Sequence, residues 1–174
     1  SSSDYSITSF TEADFTVNQR PITVVAIAKS KKYGEANPEL TYSVGGDGLV
    51  GDDTLSGALA HTSNGHAGTW AINQGSISAS SDYDMSSTGA SFVVNQRPIT
   101  VVAIAKSKKY GEANPELTYT VGGDGLVGDD TLSGALAHTS NGHAGTWAIN
   151  QGSISASSDY DMSFTGASFV VNQR

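Results

Sequence analysis

The chain has 174 residues, 37% of them apolar, with 20 glycines, no cysteine and a net charge of −8. Without cysteine there is no disulfide scaffold, thiolate metal site or thiol nucleophile, and an acidic chain is not expected to seek nucleic acid. No apolar run approaches the roughly 18 residues that span a bilayer, so no membrane insertion is expected.

Residues 21–97 and 98–174 are one 77-residue unit written twice, differing only at Ser43 against Thr120 and Ser87 against Phe164. Ahead of them, DYSITSFTEADFTVNQR (4–20) aligns with DYDMSFTGASFVVNQR (159–174) after one inserted residue. Residues 1–20 therefore read as the C-terminal hairpin of a preceding repeat, followed by two repeat domains, 21–97 and 98–174. Ala13, Phe15 and Val17 are expected to behave like Ala90, Phe92 and Val94. The hairpin is expected to pair with the first copy or with a neighbouring molecule, because isolated hairpins are marginal in water. Charge is even, net −3 in each full copy.

Along one copy, short alternating runs are broken by turn signals, and no long helical period occurs. PITVVAIA (21–28) is β-branched and opens on a proline suited to the start of a strand. LTYSV (40–44), TWAI (69–72), SISAS (76–80), DYDMS (82–86) and ASFVV (90–94) follow as predicted strands. The segment DDTLSGALAHT (52–62) reads as a strand after a tight turn, or as a short helix capped by Asp53. Asn64-Gly65 signals a two-residue hairpin turn, which would set Ser63 opposite His66 and His61 opposite Gly68. The expected core is Ile22, Val24, Ala26, Tyr33, Leu40, Tyr42, Leu55, Leu59, Trp70, Ile72, Ile77, Tyr83, Met85, Phe92 and Val94, with the same positions 77 residues on. The fold class is all-β: tandem small β-sandwich domains, immunoglobulin-like and Greek-key, with a β-grasp-like arrangement as the alternative.

Taken in order, RPITV, KKYG, NPELTY, GDDTLSG, GTWAI and DYDMSFTGASFVV resemble the YGX-type MBG repeat of bacterial surface proteins and large adhesins. The resemblance spans the whole unit and implies an extracellular array with no catalytic residues to carry over. Trp70 and Trp147 stand where that family more often has Tyr. Val25 and Ile27 stand where polar residues are common, and would mark a second buried face or a contact with the neighbouring repeat.

Several features invite sharper chemistry. GGDGLVGDDTLSG (45–57) suggests calcium ligation by Asp47, Asp52 and Asp53, repeated as Asp124, Asp129 and Asp130, since aspartates supply hard oxygen ligands. A β-roll site needs its motif stacked every nine residues, whereas here it occurs once per copy, so an ordinary acidic turn is the simpler reading. No cofactor other than calcium is implied. His61 and His66 near a turn lack a third ligand for zinc and read as surface residues. Asp82 and Asp84 share a strand face, as an acid/base pair would, but a turn cap and a solvent-facing carboxylate suffice. No triad, phosphate loop or nucleotide fingerprint occurs, and no enzyme activity is expected. The cluster Lys29, Lys31 and Lys32 reads as a solvated strand end.

The joint Asn95-Gln96-Arg97-Pro98 reads as a stiff hinge, because proline fixes φ and holds the preceding residue extended. Phe10 and Phe164 occupy the position of Ser87; if that position is core, the first copy should be the less stable. Near-identical tandem units favour a product measured in length or copy number. The reading is a structural stalk of an extracellular bacterial adhesin that projects an adhesive tip. The alternative is a repeated weak binder of glycan or host protein, acting through avidity. The expected partners are neighbouring repeats of the same chain and, on the alternative, surface glycan or host protein.

Overall fold

The computed structural model describes residues 9 and 11–174. The first copy comprises β1 (Arg20–Ala26), β2 (Lys29–Lys32), β3 (Tyr42–Gly46), β4 (Ala60–His61), β5 (Gly68–Asn73), β6 (Tyr83–Thr88) and β7 (Ala90–Asn95). The second repeats them as β8 (Arg97–Ala103), β9 (Lys106–Lys109), β10 (Tyr119–Gly123), β11 (Ala137–His138), β12 (Gly145–Asn150), β13 (Tyr160–Thr165) and β14 (Ala167–Asn172). The protein is all-β, in tandem repeated domains. No helix occurs among the described residues.

Each copy folds into two sheets, ordered β3-β1-β6 and β2-β7-β5-β4 in the first copy. The β-branched run of β1 places Ile22, Val24 and Ala26 inward at alternate positions, as a strand's period of two requires. Strand β1 lies in the middle of its sheet, antiparallel to β3 and parallel to β6. After Ile27 and Ala28 the chain crosses to the other sheet, where β2 runs parallel to β7. One N-terminal segment thus stitches both sheets to the C-terminal strands β6 and β7, which fastens the two ends of each copy together.

Between the sheets, Ala26, Ile72, Phe92 and Val94 form a buried cluster framed by Tyr33, Leu40, Leu59, Trp70 and Ala90. Each such large side chain, taken out of water, contributes about 1.5 to 3 kcal/mol. Ala103, Ile149, Phe169 and Val171 form the equivalent cluster in the second copy, and Phe164 packs against it. At the position of Phe164, Ser87 is exposed and its hydroxyl donates to Gln74 Oε1 at 3.1 Å. His61 stacks on Phe92 with ring centroids 4.6 Å apart, so it belongs to the rim of the core and not to the surface.

Several expectations are corrected. Residues 11–19 form no strand, and Phe15 is 91% exposed whereas Phe92 is 0% exposed. Phe92 lies on β7, paired to β5 and β2, whereas none of residues 11–19 belongs to a strand. Among the described part of the expected hairpin, Gln19 reaches the first copy by donating to the Ser81 carbonyl at 2.9 Å. Residues 1–8 and Phe10 lie outside the described residues. Segment 52–62 is neither a full strand nor a helix: it makes a bridge at Ser56 to Ser78 and the two-residue β4. Gly57 there has φ +83°, and a Cβ on it would stand 2.1 Å from the Ser76 carbonyl oxygen, so the chain is pressed against its neighbour. Segment 76–80 contributes only that bridge. Tyr42 is exposed in the first copy, at the end of its edge strand. Val25 and Ile27 are also exposed, neither buried against a second face nor against the neighbouring copy.

Candidate functional site

The joint is shorter than a linker. Only Gln96 separates β7 from β8, and its amide donates to the Ser158 carbonyl at 2.9 Å. The Arg97 backbone amide donates to the Asp159 carbonyl at 2.9 Å, and its guanidinium to the carbonyls of Asp124, Gly125 and Tyr33. Asn95 ties the same stretch back to the first copy, its side chain donating to the Lys31 carbonyl and its carbonyl accepting from the Tyr33 amide. All three polar residues of the joint are therefore engaged in hydrogen bonds at a point where the chain passes from one copy to the next.

Around this passage the copies meet through side chains remote in sequence. The loop between β4 and β5 is one contributor. His61 pairs with Ile72 instead of Gly68, so the loop runs over residues 62–67 and is not a two-residue turn. The Ser63 hydroxyl and the Asn64 carboxamide accept from the Gly65 and His66 amides, at 3.1 Å each, so the side chains satisfy the backbone that a tight hairpin would have paired. The longer loop carries His66 and Ala67 out to the second copy. There His66 Nδ1 donates to Asp159 Oδ2 at 2.8 Å and the Ala67 amide to Asp159 Oδ1 at 2.7 Å.

Asp159 is 5% exposed, and it is the buried charged residue of the described chain. Burial alone would push its carboxyl upward. The donors His66, Ala67 amide and Ser157 hydroxyl outweigh that and hold it below the usual aspartate value.

The turn after β2 is the second contributor. Tyr33 stacks on His66, centroids 6.2 Å apart, and meets Tyr160 edge-on at 5.4 Å. Its hydroxyl donates to Asp130 Oδ2 at 3.1 Å, the same oxygen that receives the Tyr160 hydroxyl at 2.5 Å. Lys32 Nζ stands 2.8 Å from Asp124 Oδ2, and the hydrogen bond lowers the Asp124 pKa while raising that of Lys32. Gly34 completes the contact: with φ +82°, it lies so close to Val127 that a Cβ would fall 2.4 Å from a valine methyl.

These contacts redistribute the candidate residues. Asp53 and its counterpart Asp130 accept tyrosine hydroxyls, and Asp124 pairs with Lys32. Asp47, Asp52 and Asp129 are exposed. Among the described residues, no group of three or more histidine or acidic side chains converges on one point. Asp82 accepts from Ser80, as a turn cap does, and Asp84 faces solvent. Asp159, the second copy's equivalent of Asp82, instead anchors the junction.

The two halves of the junction exist before they meet. In the second copy, Tyr110 and His143 stack at 6.3 Å, as Tyr33 and His66 do in the first. In the first, Tyr83 already donates to Asp53 at 2.5 Å. Docking therefore joins prearranged surfaces and orders few side chains anew.

A family model for the MBG domain (YGX type) matches residues 22–93 and 99–170. No curated protein and no solved structure matches the chain. MBG repeats are typical of bacterial surface proteins, and among the described residues no helix is long and apolar enough to cross a membrane. With both full copies matched almost end to end, the chain belongs to the YGX-type MBG domain family, as two tandem members.

Proposed function

We propose that these repeats are a structural stalk: non-enzymatic, extracellular spacers that hold an adhesive tip away from a bacterial surface. One observation carries the reading. Each copy bears both halves of a single junction, the Lys32, Tyr33, Gly34 and His66 half at one end and the Asp124, Val127, Asp130 and Asp159 half at the other. A unit with complementary ends stacks in one repeated orientation, as solenoid units do, and so turns copy number into length. The Tyr-Gly pair, Tyr33-Gly34, serves in this reading to dock one repeat on the next.

Small-angle scattering with calcium and then with chelator tests this. The expected particle is elongated, with a maximum dimension unaffected by chelator. A compact or broadly flexible particle would count against a stalk. Extension that depends on calcium would instead assign the stiffness to Asp47, Asp52, Asp53 and their counterparts.

A second reading has support from the outer face of β1 and the residue that follows it. Val25 and Ile27 are exposed, and so are Val102 and Ile104 at the same place on the second copy. Apolar pairs repeated along an array suit weak protein contacts that gain strength from number. Replacing all four by serine should leave the scattering profile unchanged. If it also abolishes attachment of cells displaying the array, the adhesive reading is preferred.

A further inference from the structure

Each copy contains one Asn-Gly pair, Asn64-Gly65 and Asn141-Gly142, whereas every other asparagine is followed by glutamine or proline. In the first copy the pair lies in the loop that carries His66 and Ala67 to Asp159. Both reacting groups are accessible. Asn64 and Asn141 are exposed, and a Cβ added to Gly65 or Gly142 would meet nothing within 4 Å, so no packed neighbour shields the glycine nitrogen. Two hydrogen bonds already run in the sense of a reaction between side chain and backbone. The Gly65 amide donates to the Ser63 hydroxyl oxygen at 3.1 Å, which gives the proton on that nitrogen an acceptor. The His66 amide donates to Asn64 Oδ1 at 3.1 Å, which polarises the side-chain carbonyl and favours negative charge on its oxygen. The second copy repeats both, Gly142 to Ser140 and His143 to Asn141, again at 3.1 Å.

We propose that Asn64 and Asn141 are sites of spontaneous deamidation, and that the product at Asn64 loosens the junction between the copies. The Gly65 nitrogen attacks Asn64 Cγ. The N–Cγ bond forms, the Cγ–Nδ2 bond breaks, and ammonia leaves with the proton of the glycine amide. Water then opens the cyclic imide at either carbonyl, giving aspartate or isoaspartate. Water is the only co-reactant. Glycine permits the attack because no side chain crowds its nitrogen, and its backbone turns freely. Glutamine after the other asparagines does crowd it, and proline has no N–H to lose.

The consequence follows from what the loop holds. Isoaspartate routes the main chain through the former side-chain methylene, so the backbone gains one carbon just ahead of Gly65 and His66. It also withdraws the amide oxygen that fixed the His66 amide. Downstream, His66 Nδ1 and the Ala67 amide reach Asp159 at 2.8 and 2.7 Å, and such bonds weaken steeply when donor and acceptor are misaligned. Either product adds a negative charge to a loop that docks on a buried carboxylate, which opposes docking. Deamidation thus acts as a slow, irreversible release of one copy from the other. The inference stands whether or not the array serves as a stalk.

Ageing of the 174-residue chain at mildly alkaline pH and body temperature tests it, with peptide mapping by mass spectrometry and ¹⁵N relaxation on the same samples. Positions 64 and 141 should show the mass change of an amide becoming an acid, with isoaspartate among the products, while the Asn-Gln and Asn-Pro pairs stay intact. As Asn64 is consumed, one rotational correlation time should give way to two shorter ones. Asn64→Gln keeps an amide but closes only a slower six-membered ring, so it should survive the same ageing unreacted at 64 and still tumble as one body, although its Asn141 reacts. An intact Asn64, reaction spread evenly over all asparagines, or a chain deamidated at 64 that still tumbles as one body would each overturn the proposal. So would an Asn64→Gln chain that loosens at the wild-type rate, or a fresh chain that already tumbles as two bodies. Circular dichroism unchanged by ageing keeps unfolding from passing for a loosened joint.

Discussion

At the level of single residues, the near-identity of the copies makes each one a control for the other. Gly34 and Gly111 both adopt left-handed φ, at +82° and +87°, so alanine strains the backbone equally at either. Only at Gly34 does the added methyl also strike Val127; at Gly111 the nearest atom is an arginine terminus 3.7 Å away. Gly34→Ala is therefore expected to free the two copies to tumble separately in ¹⁵N relaxation. Gly111→Ala should lower the stability of its own copy by about 1 kcal/mol and leave the joint rigid. Equal effects on tumbling would show that Gly34 acts through its backbone alone. Position 87/164 offers a second comparison. Phe164 packs against the second core while Ser87 is exposed, so Phe164→Ser should cost about 1 to 2 kcal/mol, less than loss of a fully buried ring. Denaturant midpoints for each copy, read from resolved amide signals, should fall in the second copy until the two coincide.

At the level of elements, the tight bridge between Ser56 and Ser78 is the place where irregular chain is held most closely. Gly57→Ala would drive a methyl onto the Ser76 carbonyl, and is expected to destabilise the first copy by roughly 2 to 3 kcal/mol in urea unfolding. An unchanged midpoint would mean that the segment detaches at little cost. This stretch also marks where sequence reasoning failed. Strands β1, β5 and β7 were legible because Ile22, Val24, Ile72, Phe92 and Val94 alternate with outward residues. Strand β2 was not legible, since Lys29-Ser30-Lys31-Lys32 carries no apolar signal and is an edge strand set by its parallel partner β7. Segment 52–62 has strand-like spacing of Leu55 and Leu59, but it is placed by hydrogen bonds to Ser76 and Ser78, which periodicity does not encode. The joint itself was visible in Asn95, Gln96, Arg97 and Pro98. Its partners were hidden, because His66 and Asp159 lie 93 residues apart and each has an identical twin that makes no such contact.

At the level of the whole molecule, the junction couples the motion of the two copies to pH. Asp159 is held below its ordinary pKa of 3.8 by its docked donors. A carboxyl with a lowered pKa contributes stability that is complete above its ordinary value and disappears as pH falls through its docked value. Asp124 shifts in the same direction, through the hydrogen bond from Lys32. Lys32 shifts the opposite way, upward from 10.5, so its contribution is complete below that value and is lost as pH rises through the docked value. The copies should therefore tumble as one body from weakly acidic to weakly alkaline pH and separate in acid below the ordinary aspartate range. Salt distinguishes the Lys32–Asp124 ion pair from the hydrogen bonds on Asp159. Lys32 and Asp124 are substantially exposed, and 1 M salt screens such a pair, whereas Asp159 is shielded from solvent. If Asp159 carries the coupling, a single rotational correlation time should persist in 1 M salt at pH 6, and Asp159→Asn should give two shorter times there without acid. That variant leaves the His66 and Ala67 donors poorly matched inside the junction, at a cost of about 1 to 3 kcal/mol. Separation by salt alone, with Asp159→Asn still rigid, would move the coupling to Lys32 and Asp124 and leave the buried carboxylate as packing.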